Sequence, residues 1–425
     1  MTRIVMISTG DEVLQGDIVD TNAAWLSQQL NENGLQMSWR LTVADELSDL
    51  SRAFSEASQY ADWIIVNGGL GPTSDDLSAE AAANALGEPL KEFTSWIDVL
   101  LERYQSRGRV MPESNRKQAL LPVSAVLIDN PVGSACGFVI ELNGARLLFT
   151  PGVPSEFKLM VKEQILPRIL DAVEVTPPAM YRWLTFGLSE SRLNDFLGKI
   201  ELLEGMTLGY RSAMPSIEVK LKVVQGIEQQ TVEHVISQIV DALGDNLFCH
   251  HNKGFAAEIQ SLMLSREASL ALAESCTGGM LASELVALAG SSAYFQRGYV
   301  TYSNEAKQQD INVPAQILEQ YGAVSEQVAI AMAEGARAKA GTDYALSITG
   351  IAGPDGGTEE KPVGTVGFAL ATPDRTYSQL LRLPNRGRGL VRSVAAAMAM
   401  DMLRRYLIGK PVFGEYEFIK RVSSA

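Results

Sequence analysis

One short segment in the last third of the chain carries a residue that could act as a nucleophile. Residues 273–279 (Ala-Glu-Ser-Cys-Thr-Gly-Gly) place Ser275 directly after a short apolar run and before a helical pattern that starts at Met280. This order predicts a strand, a tight glycine turn and the start of a helix. The first N–H groups of a helix have no partner within it. The segment would therefore present Ser275 beside free hydrogen-bond donors.

The base that would activate this serine is predicted to be a lysine. The chain has three histidines, His234, His250 and His251. None of them follows Ser275, so a histidine of the same domain is excluded as the base. Lys307 ends the segment Thr-Tyr-Ser-Asn-Glu-Ala-Lys, which also contains Tyr302.

A lysine acts as a base only when its amine is neutral. Its ordinary pKa of about 10.4 must therefore be lowered, which burial or a nearby positive potential can do. Asn304 is a suitable helix N-cap and would put Lys307 in the first helical turn, where the macrodipole disfavours an ammonium. Tyr302 could relay the proton or hold the lysine. We predict serine–lysine acyl transfer with an oxyanion bound by N–H groups around residues 276–278.

Simpler interpretations exist for each of these residues. A serine in a glycine turn is often only a helix cap, and a lysine at a helix start is usually solvated. Cys276 is a rival nucleophile, but it lacks the histidine partner that usually activates a thiol. Cys249 and the two histidines after it could bind a metal, yet no fourth ligand lies nearby in the sequence.

The hydrophobic patterns divide the chain into four segments. Residues 1–172 alternate strands and helices, which predicts an α/β domain with a doubly wound, mostly parallel sheet. Residues 173–252 predict a strand–helix–strand–strand–helix module, a small α+β connector of KH-like shape. It lacks the GXXG clamp of a KH nucleic-acid site. Residues 253–412 form a C-terminal α/β domain with both chemical segments, and residues 413–425 are a tail that we expect to be loosely held.

A glycine-rich loop follows the third predicted strand. Such glycines let the backbone approach an anion, and the helix start after the loop favours negative charge. The candidate phosphate-binding residues are Gly68, Gly69, Gly71 and Thr73. Asp75 and Asp76 would repel a phosphate unless a divalent cation lies between them, so we predict a Mg²⁺-type site there. Alternatively, the two aspartates cap the following helix.

Composition excludes several classes of protein. A chain of 425 residues suggests two or three domains, and its formal net charge of −14 argues against non-specific nucleic-acid binding. No apolar run reaches the roughly 18 residues of a membrane span, and the chain does not start with a signal-peptide pattern. We expect a cytoplasmic protein without a disulfide framework. Multidomain enzymes are often symmetric, so we expect a homo-oligomer.

The motifs of the last domain resemble those of the C-terminal domain of the CinA family (competence/damage-inducible proteins). They are residues 273–279, 298–307, 322–325 and 350–357. The resemblance implies a nicotinamide mononucleotide deamidase without a cofactor, in which Tyr302 and Lys307 assist the nucleophile Ser275. The products would be nicotinic acid mononucleotide and ammonia.

In a site of this kind we expect further groups to bind the oxyanion or the substrate. These residues are Cys276, Thr277, Gly278, Gly279, Asn304, Gly350 and Gly353. The loop 350–357 would form a wall of the nucleotide pocket, and residues 277–279 would also meet the phosphate.

The first domain is similar to the N-terminal domain of the same family, which itself resembles molybdopterin-binding proteins. The motifs are residues 9–16, 20–22, 68–76 and 151–156. Some members hydrolyse ADP-ribose with a metal, so a metal-dependent pyrophosphatase is a second hypothesis for the activity. The family name suggests a third, a non-catalytic partner protein in competence or DNA-damage responses. In the first two hypotheses the partners are nucleotides, with neither a membrane nor direct nucleic-acid contact.

Overall fold

The computed structural model describes residues 2–249 and 253–422, and the chain divides into two compact units. The first unit ends at Pro178 and the second starts at Ala179. The elements of the first unit are β1 Ile4–Thr9, α1 Asp11–Leu14, α2 Thr21–Glu32, β2 Met37–Val43, α3 Leu47–Tyr60, β3 Trp63–Asn67, α4 Ser78–Leu86, β4 Leu90–Glu92, α5 Thr94–Ser106, β5 Leu120–Pro122, β6 Val126–Ile128, β7 Gly137–Leu142, β8 Ala145–Thr150, α6 Pro154–Met160 and α7 Leu166–Ala172.

The first unit is built on a six-stranded sheet in the order β2-β1-β3-β8-β7-β6. The first four strands are parallel, and β7 and β6 add an antiparallel edge. Helices α3, α4 and α5 cover one face, and α2, α6 and α7 cover the other. Both faces are therefore buried, which explains the continuous apolar run of β1, whose six residues are all buried. The prediction of a doubly wound, mostly parallel sheet is confirmed.

The second unit begins with a small α+β module. Its elements are β9 Ala179–Phe186, α8 Glu190–Leu197, β10 Met206–Ala213, β11 Ser216–Val223, α9 Gln229–Leu243 and β12 Leu247–Cys249. The strands form an antiparallel sheet in the order β10-β11-β9-β12, and the two helices pack on one face of it. The structure confirms the KH-like order of elements and adds β12, which is too short to show a period.

The rest of the second unit is a larger α/β domain. Its elements are α10 Gly254–Leu264, β13 Leu270–Glu274, α11 Met280–Val286, β14 Phe295–Val300, α12 Asn304–Ile311, α13 Ala315–Tyr321, α14 Glu326–Ala340, β15 Tyr344–Gly350, β16 Thr365–Ala371, β17 Thr376–Arg382, α15 Arg388–Leu407 and β18 Lys420–Arg421. The sheet order is β14-β13-β15-β16-β17-β18. Its first three strands are parallel and the others antiparallel. Helices α10, α11 and α15 pack on one face, and α14 packs on the other.

Residues 412–422 are packed, contrary to our expectation that residues 413–425 are a loosely held tail. Ile419 is buried, and β18 pairs with β17. The hydroxyl of Tyr416 donates to Asp401 Oδ2 at 2.6 Å. These contacts come from single side chains and a two-residue strand, so the segment has no periodicity to detect.

Across residues 2–249 and 253–422, none of the helices has the length and apolar character that a membrane span requires.

Candidate active site

The predicted catalytic segments meet at one edge of the second unit's larger sheet. Ser275 and Thr301 directly follow the neighbouring parallel strands β13 and β14, and Gly350 ends β15. The N–H of Ser275 donates to Ile348 O at 2.9 Å, and that of Thr301 donates to Glu274 O at 2.9 Å. The hydrogen bonding between the strands thus continues to Ser275 and Thr301 and fixes the backbone of both residues. The carboxyl ends of parallel strands are the usual place for a ligand crevice in α/β folds.

Helix α12 positions the side chain of Lys307 at the carboxyl ends of these strands. The helix is capped by Ser303, whose hydroxyl accepts from the N–H of Ala306 at 3.1 Å. Our prediction of Asn304 as the cap was wrong by one residue. Ser303 has the extended backbone that a cap needs, whereas Asn304 is the first helical residue and is exposed. Lys307 still lies in the first turn.

The amine of Lys307 contacts the predicted nucleophile directly. Its Nζ lies 3.2 Å from Ser275 Oγ and donates to the carbonyl of Thr301 at 2.9 Å. The carbonyls of Tyr302 and Ser303 lie at 3.5 and 3.4 Å. All four oxygens are uncharged.

Lys307 is 1% exposed, in a chain where lysines are normally solvated. Burial lowers the pKa of its ammonium below the ordinary value, and the nearby Cys276 and Glu305 oppose this shift. A lysine held in this way has a larger neutral fraction near pH 7 than a surface lysine. It can therefore accept a proton from the serine.

The Tyr302 hydroxyl is not brought to the serine and lysine. The side chain is 60% exposed, and its hydroxyl accepts from Arg388 Nη2 at 3.0 Å. Only the backbone carbonyl of Tyr302 approaches Lys307. The phenol is thus exposed beside Arg388, where it can meet a bound molecule.

A buried carboxylate occupies the start of α11. Glu274 is 1% exposed, and its oxygens accept hydrogen bonds from three backbone N–H groups. The donors are Gly279 (3.1 Å), Leu281 (3.1 Å) and Ala282 (2.8 Å). The negative charge satisfies the helix N-terminus from within the protein. The N–H of Gly279 is therefore not available to a substrate.

Fewer N–H groups are therefore available to bind an oxyanion than we expected from the sequence. The N–H of Gly278 donates to Ser275 O at 3.0 Å, so it too has an internal acceptor. In the described part of the chain, the N–H groups of Cys276 and Thr277 donate to no other residue. They directly follow the nucleophile and are the donors that remain for a developing oxyanion.

The rival nucleophile is unfavourable. Burial raises the pKa of the Cys276 thiol to about 12, so that it stays protonated at neutral pH. Since the thiolate is the reactive form, Cys276 lacks the activation that a catalytic cysteine needs.

Two arginines of α15 complete the site, and the sequence analysis missed both. Arg388 Nη1 donates to Gly353 O at 2.8 Å, and Arg392 Nη2 donates to Thr277 O at 2.6 Å. Within residues 2–249 and 253–422, Arg392 Nε and Thr277 Oγ1 are buried without a hydrogen-bond partner. These unpartnered groups suit a polar ligand. The sequence does not link these arginines to the site, because they follow Tyr302 by more than eighty residues. The only local signal is their four-residue spacing, which places both on one face of a helix.

The two predicted glycines of the next loop have different surroundings. A Cβ at Gly350 would lie 2.7 Å from Val366 Cγ2, so packing between β15 and β16 requires a glycine there. Gly353 instead presents its carbonyl to Arg388. Of the two, Gly353 is the one joined to the site.

The first unit has a separate cavity of about 460 Å³ at the carboxyl ends of β1 and β3. All four motifs that we identified in this domain contribute to its lining. Lining residues include Thr9, Asn22, Gly68, Gly69, Gly71, Asp75, Asp76, Gly152 and Glu156. Thr9 Oγ1 and Asn22 Oδ1 are buried and, in the part of the chain that the structure covers, have no hydrogen-bond partner. A polar ligand would satisfy both.

The glycine-rich loop is held by one of its own aspartates. The N–H of Thr73 donates to Asp76 Oδ2 at 2.9 Å, and the Thr73 hydroxyl donates to the same oxygen. Neither aspartate caps α4, whose N-cap position is Leu77 without a side-chain bond. The nearby Thr73 hydroxyl lowers the pKa of Asp75, which keeps this carboxyl ionised. Thr73 itself is not in the cavity lining.

No three metal-binding side chains converge anywhere in residues 2–249 and 253–422. Asp75 and Asp76 are close enough to line one cavity, but they would have to share a cation with water or phosphate oxygens, as Mg²⁺ sites commonly do. Of the other metal candidates, His250 and His251 lie outside the described residues.

Comparisons with known proteins give consistent matches along the chain. Residues 252–407 match the model of the CinA C-terminal domain, and residues 5–171 match that of a probable molybdopterin binding domain. A CinA-like protein of Shewanella piezotolerans is 52% identical over 420 residues, which are 99% of each chain.

Two solved structures are also similar to part of the chain. The competence/damage inducible protein CihA of Agrobacterium tumefaciens is 39% identical, covers 36% of this chain and 93% of its own, and has a TM-score of 0.35. A CinA superfamily protein of Klebsiella pneumoniae is 36% identical, covers 36% of this chain and 96% of its own, and has a TM-score of 0.35.

Proposed function

The chain belongs to the CinA family, and we propose that its C-terminal domain hydrolyses nicotinamide mononucleotide to nicotinic acid mononucleotide and ammonia. The observation that carries this proposal is the buried amine of Lys307, 3.2 Å from Ser275 Oγ. A neutral amine in contact with a serine hydroxyl can activate that serine for acyl transfer without a histidine. The reaction takes place in pyridine-nucleotide recycling.

The first half of the reaction forms an acyl-enzyme. Lys307 takes the proton of Ser275 as Oγ attacks the carboxamide carbon, and the carbonyl oxygen becomes an oxyanion. The N–H groups of Cys276 and Thr277 stabilise that charge. The lysine then gives its proton to the amide nitrogen, the C–N bond breaks, and ammonia leaves.

The second half repeats the same proton transfers with water. Lys307 removes a proton from a water molecule, whose oxygen attacks the ester carbon. The Ser275 Oγ leaves and regains its proton from the lysine, and the nicotinic acid nucleotide is released. No metal or cofactor takes part in this sequence.

The substrate's anionic end has cationic partners in Arg388 and Arg392. Arg388 contacts both the Tyr302 hydroxyl and the Gly353 carbonyl, and Arg392 reaches Thr277. A guanidinium binds a phosphate through paired N–H donors. We assign phosphate recognition to these arginines together with the unpartnered Thr277 hydroxyl, and contact with the nucleoside to Tyr302. The N–H groups of Gly278 and Gly279, which we expected to meet the phosphate, have internal acceptors.

Ammonia release from nicotinamide mononucleotide tests the mechanism. Ser275→Ala should reduce kcat by at least about 10³-fold, because the variant has no nucleophile. Lys307→Met should reduce it by roughly 10²–10⁴-fold, the usual contribution of a general base. The matched controls Ser261→Ala and Lys339→Met, at exposed positions, should keep wild-type rates. Full activity of Ser275→Ala or Lys307→Met would refute the mechanism.

A second candidate activity belongs to the first unit, where metal-dependent cleavage of ADP-ribose is favoured by the 460 Å³ cavity and its two unpartnered oxygens. Asp75 and Asp76 would hold a Mg²⁺-type cation, which would supply charge neutralisation at the diphosphate. Gly68, Gly69 and Gly71 would let the loop backbone approach it.

Asp75→Asn is the sharper test of that site, because Asp76 also holds the loop through Thr73. The expected result is loss of EDTA-sensitive ADP-ribose hydrolysis with deamidation unchanged. Binding of a protein partner without turnover of either nucleotide would instead favour the non-catalytic hypothesis.

A further inference from the structure

A second, smaller cavity of the first unit is surrounded by arginines. Its volume is about 170 Å³, and its lining includes Arg103, Arg107, Arg109 and Ser134 but no acidic residue. The whole chain has 50 Asp and Glu against 36 Lys and Arg, so three guanidinium groups around one small space depart from its general charge. None of the activities proposed above uses them.

The end of α5 explains how these side chains converge. Arg103 and Arg107 are four residues apart and so share one side of the helix. Gly108 then adopts a left-handed conformation (φ 65°), and the N–H of Arg109 donates back to Tyr104 O at 2.9 Å. This is the hydrogen bond of a Schellman turn, which reverses the chain against the last helical turn. The turn returns Arg109 to the side of the other two arginines.

One arginine is fixed and the other two are available. Arg103 Nη1 donates to Asn130 O at 2.8 Å and also to Gly133 O, and the guanidinium lies 5.2 Å from the centre of the Trp96 ring. Arg107 and Arg109 are exposed, and neither forms an ion pair within residues 2–249 and 253–422. Cations near a helix C-terminus stabilise the helix. That effect accounts for a basic residue here but not for a cavity walled by three of them.

We propose that this cavity is a binding site for a phosphate-type oxyanion. Arg107 and Arg109 would each present two parallel N–H donors to its oxygens. Arg103 is paired with Asp129, whose Oδ1 lies 3.7 Å from Arg103 Nη2, so it would act mainly as a fixed wall of the site. The cavity of about 170 Å³ holds a tetrahedral anion and a few waters of about 30 Å³ each. The site lies in the first unit and does not depend on the proposed deamidation.

The anion has two possible sources. Ser134 lines both this cavity and the larger one of 460 Å³. The occupant is therefore either free inorganic phosphate or a phosphoryl group of a nucleotide whose remainder occupies the larger cavity. Both are recognised by the same guanidinium chemistry.

Calorimetric titration of the full-length protein tests the proposal. Wild type and the double variant Arg107→Gln/Arg109→Gln are titrated with inorganic phosphate and, separately, with ADP-ribose. If the site takes free phosphate, Kd for phosphate rises tenfold or more in the double variant. If it takes a nucleotide phosphoryl group, wild type binds only ADP-ribose, and that Kd rises by the same factor.

Two further variants serve as controls. Arg52→Gln removes an exposed arginine of α3 and should leave both affinities unchanged. Arg107→Lys/Arg109→Lys keeps the charge but not the paired donors, so its affinity should lie between wild type and the glutamine variant. If the glutamine variant does not fold, the lysine variant replaces it in the comparison of Kd with wild type. Affinities within twofold of wild type in the double variants, or no binding of either ligand to wild type, would overturn the proposal.

Discussion

Lys307 shows how one buried side chain can serve the proposed chemistry at the expense of stability. Its Nζ contacts only neutral oxygens, and burial lowers its pKa. The neutral amine is the form that the proposed mechanism uses. The charged form would be held without a carboxylate partner. Activity and stability should therefore both depend on the protonation of this residue.

The pH profile of deamidation follows from this shift. Since Lys307 must lose its proton to act, kcat/KM should rise with pH, with a midpoint below the ordinary lysine value of about 10.4. Ammonia release measured from about pH 6 to about pH 10 checks the profile. A rate that falls throughout that range would contradict a lysine base.

Stability should depend on pH through the same group. Between the folded-state pKa of Lys307 and about 10.4, this lysine binds more protons in the unfolded chain than in the folded protein. The free energy of unfolding therefore rises with pH in that window. Below the window, burial of the lysine costs stability. At pH 7, Lys307→Met should therefore melt at or above the wild-type Tm even though its deamidation rate falls. A melting curve is the measurement, and a clearly lower Tm would show that the lysine stabilises the fold.

Glu274 is a positioning residue for the nucleophile next to it. Its buried carboxylate accepts three N–H groups at the start of α11. Glu274→Gln leaves one acceptor oxygen and turns an amide NH₂ towards backbone donors, which should cost about 1.5–3 kcal/mol. Urea unfolding measures this loss, and kcat should fall with it because the Ser275 turn shifts. Glu319→Gln, at an exposed position, should change neither quantity. Unchanged stability of Glu274→Gln would disprove the role.

At the scale of elements, α12 depends on the residue before its first turn. The Ser303 hydroxyl caps the helix that holds Lys307, whereas Asn304 is exposed. Ser303→Ala should destabilise the second unit by about 1 kcal/mol, and Asn304→Ala should change stability by less than about 0.5 kcal/mol. Chemical denaturation of both variants measures the difference. A larger loss in Asn304→Ala would restore the cap that we predicted from the sequence.

Most elements could be predicted from local pattern, and the failures have local causes. The continuous apolar runs of β1 and β3 and the alternating apolar residues of β11 indicate strands, and each strand forms. The polar residues of β11 are less exposed than the alternation indicates, because Glu218 is buried. Strands β12 and β18 have three and two residues. A strand of that length shows no alternation and exists only because a longer neighbour pairs with it.

At the scale of the whole second unit, one buried ion cluster joins α15, the small module and the last segment. Asp401 is 1% exposed and bonds Arg404 and Arg405 at 2.8 Å each. Both arginines also donate to Asp245 O, which lies just before β12. The Tyr416 hydroxyl donates to Asp401 as well, and burial raises the pKa of this phenol.

Removal of the central carboxylate should weaken the whole unit. Asp401→Ala leaves the buried Arg404 guanidinium without an anion and leaves Arg405 only the Asp245 carboxylate at 3.8 Å, a change that typically costs about 3–5 kcal/mol. Thermal and urea unfolding of this variant should show the loss, whereas Asp374→Ala, at an exposed loop position, should stay within about 0.5 kcal/mol of wild type. Equal stability of the two variants would show that the cluster is not structural.

The sequence alone determined most elements of each domain and the candidates for a nucleophile and its base. Periodicity and glycine turns record local burial and backbone geometry, and these placed Ser275 after a strand and Lys307 in a first helical turn. Only the tertiary structure decided which groups meet. The pairing of β13 with β14 closes a 32-residue separation between the serine and the lysine, and α15 returns Arg388 and Arg392 to the same edge. Such contacts depend on strand order and on packing between distant segments, which leave no local pattern in the chain.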